Sequence, residues 1–335
     1  GGADDEGLVV LPPAGAIDAA HMNGVKIFAN LFFQKTMMGR SGSATMLEHD
    51  GDKYPQAEQL YKMAKYYGFD GYFINDESGG QHKSSWLPFV KAFYAAAEAD
   101  GNYGMEIQWY NADSFPYDEM LATNKNTSHF LDYGNTTYDQ SSHAGAAGCS
   151  REDIFHKIYN GQECGLAGMF GYNDAIDGAF PRTGHVGSLA LFCPESHTWK
   201  DNVEKLFFTK DARGEVAYKA MTATFENERK MWVNFAGDPS NTTSTTWRGL
   251  SGALVETSTI NTLPFYTDFS VGNGKHRFVK GVKSYTRDWS HSGLQSYLPT
   301  WRWWIENGDG LTETINWDDA YNVGNSFAIS GKLTA

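Results

Sequence analysis

Cysteine is scarce: only Cys149, Cys164 and Cys193 stand in 335 residues. That is too few for a disulfide framework, the spacing fits no zinc site, and an odd number leaves at least one thiol unpaired. Basic residues are also short, with 27 Lys and Arg against 40 Asp and Glu and a formal charge of −13. Binding nucleic acid requires a basic footprint to meet the phosphates, so that class of partner is excluded. No apolar run reaches the roughly 20 residues that span a bilayer. No charged-then-apolar leader precedes the first structured residues, and the start at Gly1-Gly2-Ala3 suits a mature form or a cut-out piece. Internal repeats and low-complexity tracts are missing as well.

Aromatic residues are plentiful, at 15% with 10 Trp and 18 Tyr. Hydrophobic residues at 41% and charged residues at 20% are ordinary for a chain that buries a large core. The aromatic surplus suits either that core or a sugar cleft, because ring faces stack on the apolar C–H faces of pyranoses. Composition leaves both open.

Along the chain, helix periodicity with start or stop signals occupies 13–23, 53–67, 86–99, 151–160 and 215–229. Between these lie apolar runs at Val25–Phe33, Phe69–Ile74, Met105–Tyr110, Phe130–Tyr133, Met169–Tyr172 and Leu189–Cys193. Strand–helix alternation without hairpin turns predicts a parallel α/β sheet, either doubly wound or a closed (β/α) barrel. After about residue 235 Gly, Ser, Thr and Asn rise and helical periodicity fades. Short β-like runs follow at Gly252–Thr257, Leu263–Ser270, Phe278–Val282, Trp301–Ile305 and Phe327–Ile329. The expected organisation is therefore 1–235 as catalytic barrel and 236–335 as an antiparallel β domain, which leads into a partial β-sandwich cut off at its C-terminus.

The segment Gly68-Phe-Asp-Gly-Tyr-Phe-Ile-Asn-Asp-Glu77-Ser-Gly-Gly carries the chemistry. Side chains alternate along a strand, so Phe73, Asn75 and Glu77 share one face while Tyr72, Ile74 and Asp76 take the other. Asn75 and Glu77 then project together from the strand's C-terminal end, where barrel enzymes keep their active sites. A two-carboxylate glycosidase needs an Asp or Glu beside its acid, and here the neighbour is an amide. An amide is a poor nucleophile, but it can hold a substrate's 2-acetamido group while that group attacks its own anomeric carbon. The carboxyl would protonate the leaving oxygen first and activate water afterwards.

The run GFDGYFINDES resembles the signature of glycoside hydrolase family 85, the endo-β-N-acetylglucosaminidases, which reads G-F-D-G-W/Y-x-I-N-x-E. Ala19-Ala-His-Met-Asn-Gly-Val25 is similar to the family's A-A-H-R-N-G-V, and Gln108-Trp109-Tyr110 to the W-Y of its next strand. Leu191-Phe-Cys-Pro194 with Trp199 resembles the last barrel strand, and Leu263-Pro-Phe-Tyr-Thr-Asp-Phe269 the L-P-F-x-T-x-F that opens the β region. The resemblance implies a (β/α)8 TIM barrel in which the matching motifs begin at what should be the third strand, Val25–Phe33. Six strands are readable here, so the first two are expected to be missing.

It further implies hydrolysis of the GlcNAc-β-1,4-GlcNAc core of N-glycans by a retaining, oxazoline-forming mechanism, with transglycosylation as a side activity. Glu77 would be acid then base, Asn75 would orient the acetamide, and Tyr110 would hydrogen-bond its oxygen. Phe33 and Gln34 would line the glycan cleft, with Gln34 standing where many members have Glu. Trp199 would be a sugar platform on the loop after the last strand. Trp109 is a further binding candidate, although alternation can turn it into the core. Asn135 ends Asp132-Tyr133-Gly134-Asn135, where the family has N-Y-x-W, so a cleft aromatic is replaced by an amide. No metal or organic cofactor is implied. The partners are N-linked glycans of glycoproteins, and the expected location is secreted or on a bacterial surface, with the cytoplasm as alternative. Competing readings are a catalytically impaired glycan-binding fragment and a family 18-like chitinase. The latter's D-G-x-D-x-D-x-E aligns with 70–77, but Phe73 and Asn75 replace two of its Asp residues.

Overall fold

In the computed structural model, the described residues are 9–33, 43–77, 83–110, 116–131, 141–159, 187–192, 226–234, 249–250, 260, 262–297, 305 and 310–332. They fall into two compact units. The first holds residues 9–13, 26–159 and 187–191, and the second holds 14–25 and the described residues from 192 onward.

The first unit is built on a seven-stranded sheet whose strands neighbour one another in chain order. They are β1 (Val9–Val10), β2 (Phe28–Phe33), β3 (Gly71–Asp76), β4 (Glu106–Tyr110), β5 (Thr127–Leu131), β6 (Ile154–Tyr159) and β7 (Ser188–Phe192). β1 runs antiparallel to β2, and β2 through β6 are parallel. Parallel neighbours need crossovers. These carry α2 (Pro55–Tyr67), α3 (Lys83–Ala99), α4 (Asp118–Leu121) and α5 (Ser141–Ala147). The alternation read from the sequence is thus present as an α/β sheet.

α2 starts with Pro55 in its first turn, where a missing N–H costs nothing, and stops at Gly68, left-handed at φ 80° with its N–H on the Ala64 carbonyl. Its Ala57, Leu60, Tyr61 and Ala64 are buried, as are Trp86, Phe89, Val90, Phe93 and Tyr94 of α3. Tyr72 reaches from β3 into this layer and donates its hydroxyl to the Leu60 carbonyl at 2.8 Å. Phe69, Tyr72 and Phe93 meet edge to face.

The second unit holds α1 (Ala14–Met22), which packs on β11 (Trp289–Gln295). β11 pairs antiparallel with β8 (Val271–Gly274). β9 (Arg277–Val279) and β10 (Val282–Tyr285) form a hairpin across Lys280 and Gly281, whose φ of 51° and 77° suit a two-residue primed turn. β12 (Leu311–Asn316) and β13 (Ser326–Gly331) form a second hairpin.

Three expectations need correction, the first being Phe278–Val282, which is not one strand but the turn of the β9–β10 hairpin with the strand residues beside it. The stretch 151–160 is not a helix but a single 3-10 turn, Arg151–Asp153, followed by β6. The helix-start signal is real, since Ser150 and Asp153 form a capping box. The turn then stops because Ile154, Phe155 and His156 pair with His129, Phe130 and Leu131 of β5. The sheet therefore has a strand that the six-strand count did not contain. Leu263–Ser270 is likewise not a strand, and Leu263 is 88% exposed. Its backbone groups bond to side chains instead of a ladder: Phe269 N–H to Thr267 Oγ1 at 3.0 Å, and the Phe269 carbonyl to Asn325 Nδ2 at 2.9 Å. Met169–Tyr172, Gly252–Thr257 and all but the last residue of Trp301–Ile305 lie outside the described residues.

Candidate active site

Each residue of the segment before Asn75 has a structural task. Gly68 caps α2, and Phe69 is buried. Asp70 Oδ2 accepts the Ile27 N–H at 2.9 Å, while its own N–H reaches the Ile27 carbonyl at 3.0 Å, so β2 and β3 are locked in register where they begin. Gly71 lies so close to β4 that a Cβ would sit 1.9 Å from the Glu106 carbonyl oxygen. These four residues set β3 against both neighbours before the strand reaches its functional end.

Alternation then divides the strand. Tyr72, Ile74 and Asp76 face the helices, with Asp76 Oδ2 accepting from Trp86 Nε1 of α3 at 2.7 Å. Phe73 and Asn75 face the other way. Asn75 Nδ2 donates to Glu77 Oε1 at 3.2 Å, so the amide and the carboxylate are in direct contact. Asn75 Oδ1 is buried and meets no hydrogen-bond partner among the described residues. Glu77 follows the strand, exposed, with its N–H on the Phe33 carbonyl at 2.8 Å.

Tyr110 is the register partner of Asn75 on β4. Its ring stacks with Phe73 at 6.1 Å and meets Phe130 of β5 edge-on at 5.7 Å. The structure thus brings Asn75, Glu77 and Tyr110 to one end and one face of the sheet. Phe32 of β2, opposite Asn75 in register and half-buried, is a residue that sequence reading missed. Its signal is the register between β2 and β3, which sets Phe32 on the rung that faces Asn75.

Phe33 is expected in the cleft and its placement is a correction, while Trp109, a binding candidate that alternation can turn into the core, is turned there. Phe33 is 0% and Trp109 1% exposed, and both pack on Trp86, at ring separations of 5.3 and 5.8 Å. They lie on the helix side because alternation puts them out of phase with Asn75 and Tyr110. Gln34, Asn135 and Trp199 lie outside the described residues.

Among the described residues, no group of three His, Cys, Asp or Glu is placed to hold a metal ion. None of their helices is long and apolar enough to cross a membrane. His129, the register partner of Trp109, is wholly buried, and that burial, aided by the Lys83 ammonium, lowers its pKa from 6.5 to about 3.

The model of glycosyl hydrolase family 85 matches residues 5–277. Cytosolic endo-β-N-acetylglucosaminidase 1 of Arabidopsis thaliana is 26% identical over 97% of this chain, which covers 45% of that protein. The human cytosolic endo-β-N-acetylglucosaminidase is 21% identical over 97% of the chain, covering 41% of its own length. The chain thus spans less than half of these curated relatives. Among solved structures, the glycoside hydrolase domain of Endo-D from Streptococcus pneumoniae R6 superposes with a TM-score of 0.73 at 27% identity. That match covers 98% of this chain and 53% of the other. Expected secretion gains no support from the curated relatives, whose names read cytosolic. An α/β sheet superposable on Endo-D, an Asn-x-Glu strand end and a family model running from residue 5 to 277 lead to one assignment: the chain belongs to glycosyl hydrolase family 85.

Proposed function

We propose that this chain is the glycan-cleaving part of an endo-β-N-acetylglucosaminidase, which hydrolyses the GlcNAc-β-1,4-GlcNAc core of N-glycans by substrate assistance. The observation that carries the reading is the Asn75–Glu77 contact of 3.2 Å, with Tyr110 on the adjacent rung. Asn75 Oδ1 supports it, because a buried acceptor without a partner suits the N–H of a substrate acetamide. With that N–H held, the acetamide oxygen points at its own anomeric carbon, and the Tyr110 hydroxyl steadies the developing ring. The oxygen forms its bond to C1 as the glycosidic C–O bond breaks, and Glu77 gives its proton to the departing GlcNAc. Glu77 then takes a proton from water, whose oxygen bonds to C1 as the C1–O bond of the oxazolinium ion, its N–H still held by Asn75, breaks to restore the acetamide with net retention of configuration. An acceptor sugar hydroxyl in place of that water gives transglycosylation.

The parallel order of β2–β6 and the likeness to Endo-D support a (β/α)8 barrel over 1–235, followed by the β region over 236–335. Gln34, Asn135 and Trp199 are proposed to contact the glycan beyond the cleaved bond.

The test is incubation with a defined N-glycoprotein. The expected product is a protein retaining one GlcNAc, and Glu77→Gln should lower the rate by about 10²–10⁴-fold. Asn75→Ala should cleave glycoprotein very slowly yet still transfer a ready-made glycan oxazoline to a GlcNAc acceptor. Near-native cleavage by Glu77→Gln, or an Asn75→Ala protein that uses oxazoline no better than glycoprotein, would refute the mechanism.

A further inference from the structure

Glu77 is exposed at a strand end, yet it must meet a leaving oxygen at hydrogen-bond distance. Something other than its own packing has to hold it. Its main chain is tied to β2 by the 2.8 Å bond to the Phe33 carbonyl. On the opposite side the preceding residue sends its carboxylate into the helical layer, where Trp86 Nε1 donates to Asp76 Oδ2 at 2.7 Å. Trp86 is itself immobilised: it is 0% exposed, and its ring meets Phe33, Phe89 and Trp109 at 5.3, 5.1 and 5.8 Å. Phe33 ends β2, Asp76 ends β3, and Trp109 precedes Tyr110 on β4. One indole therefore touches the ends of the three strands that present Phe32, Asn75 with Glu77, and Tyr110.

We infer that Asp76 and Trp86 are positioning residues, a latch on the helix side of the sheet that sets where Glu77 stands relative to Asn75 and Tyr110. The inference rests on the proposed role of Glu77 as proton donor. A charge-assisted bond of this kind is strong and directional, and here neither partner touches the glycan face. It also gives Phe33 and Trp109 a task, which is to hold the indole rather than to bind sugar. A displacement of about 1 Å at a reacting group costs up to about 10²-fold in rate, so the latch bears on turnover rather than on binding.

The experiment compares two substrates in the full chain. One is an N-glycan whose leaving group is GlcNAc, a poor leaving group that requires protonation. The other is the same glycan on a dinitrophenol, which leaves without a proton, and it is followed as first-turnover release of dinitrophenolate, the step that precedes any need for Glu77 as base. Rates are normalised to folded protein measured by circular dichroism. Asp76→Ala and Trp86→Phe should each lower kcat on the GlcNAc substrate by roughly 10–10²-fold with KM nearly unchanged, and should spare the dinitrophenyl substrate. Asp76→Asn keeps an acceptor oxygen and should stay within a few-fold of wild type. The Asp76→Ala/Trp86→Phe double variant should fall no further than the worse single. Should Asp76→Ala fail to fold, Trp86→Phe, which keeps an aromatic ring among Phe33, Phe89 and Trp109, decides the question alone. Equal losses on both substrates, or wild-type kcat in Trp86→Phe, overturn the latch. Glu77→Gln serves as reference. If it spares the dinitrophenyl substrate while the latch variants do not, only the latch is wrong, and if it retains activity on both, the role of Glu77 is wrong.

Discussion

One buried side chain, His129, should make this protein lose stability in acid beyond what its carboxylates account for. The imidazole is wholly buried on the helix side of β5, and neither ring nitrogen meets a hydrogen-bond partner among the described residues. Burial disfavours the imidazolium, the Lys83 ammonium disfavours it further, and the pKa falls from 6.5 to about 3. In the unfolded chain the ring titrates at its ordinary value. Above pH 6.5 both states are neutral and His129 adds no pH dependence. Below it the unfolded state binds a proton that the folded state refuses, so stability falls with pH until the folded ring also protonates near 3. At about 1.4 kcal/mol per unit, the loss is about 3 kcal/mol by pH 4.5 and about 5 kcal/mol near pH 3. Domains commonly have only about 5–15 kcal/mol of stability, so this one group can decide acid survival. The assay is urea unfolding of wild type and His129→Leu at pH 7.5, 6.5, 5.5 and 4.5, followed by tryptophan fluorescence. Carboxylate titrations are common to both proteins and cancel in the difference. That difference should shift in favour of the leucine variant by about 3 kcal/mol between the pH extremes of the series. Parallel pH slopes for the two proteins would refute the argument.

Gly71→Ala should destabilise the first unit by more than about 3 kcal/mol in the same assay, because its methyl would meet the Glu106 carbonyl at 1.9 Å and part β3 from β4. Wild-type stability in that variant would mean that the strands can separate freely. Phe33→Ala should cost about 3–5 kcal/mol of stability and leave the KM of folded protein nearly unchanged. Phe32→Ala should raise KM at little cost in stability, and the reverse pattern would show that the faces of β2 are misassigned. Tyr110→Phe should reduce kcat by about 10²-fold, as expected for a lost hydroxyl donor at a developing charge, with an unchanged unfolding midpoint. An unaltered kcat would leave Tyr110 as a packing partner of Phe73 and Phe130.

What could be read from the sequence was whatever depended on a local period. Two-residue alternation sets Asn75 and Glu77 together and Asp76 behind them, and in the structure Asp76 is bonded into α3 and Asn75 is bonded to Glu77. The same alternation allows Trp109, beside Tyr110, to turn into the core, and it does so. Phe33 is different: it stands at a strand end, but the end of a strand does not specify a face, and only the rung opposite Asn75 does so. The capping box at Ser150 illustrates a different limit. A start signal is satisfied by one turn as well as by a long helix, and the next residues are claimed by β5, whose distance in sequence no local pattern encodes. Leu263–Ser270 failed for the converse reason, since the family-like run is apolar enough for a strand while Asn325, far along the chain, takes its backbone carbonyl. α1 was legible as a helix, yet its packing on β11 joins residues at opposite ends of the chain. Least legible of all was Trp86. In the sequence it is one aromatic near a helix start. Its importance comes from three strand ends and a carboxylate converging on one indole, and that convergence exists only once the sheet register is set.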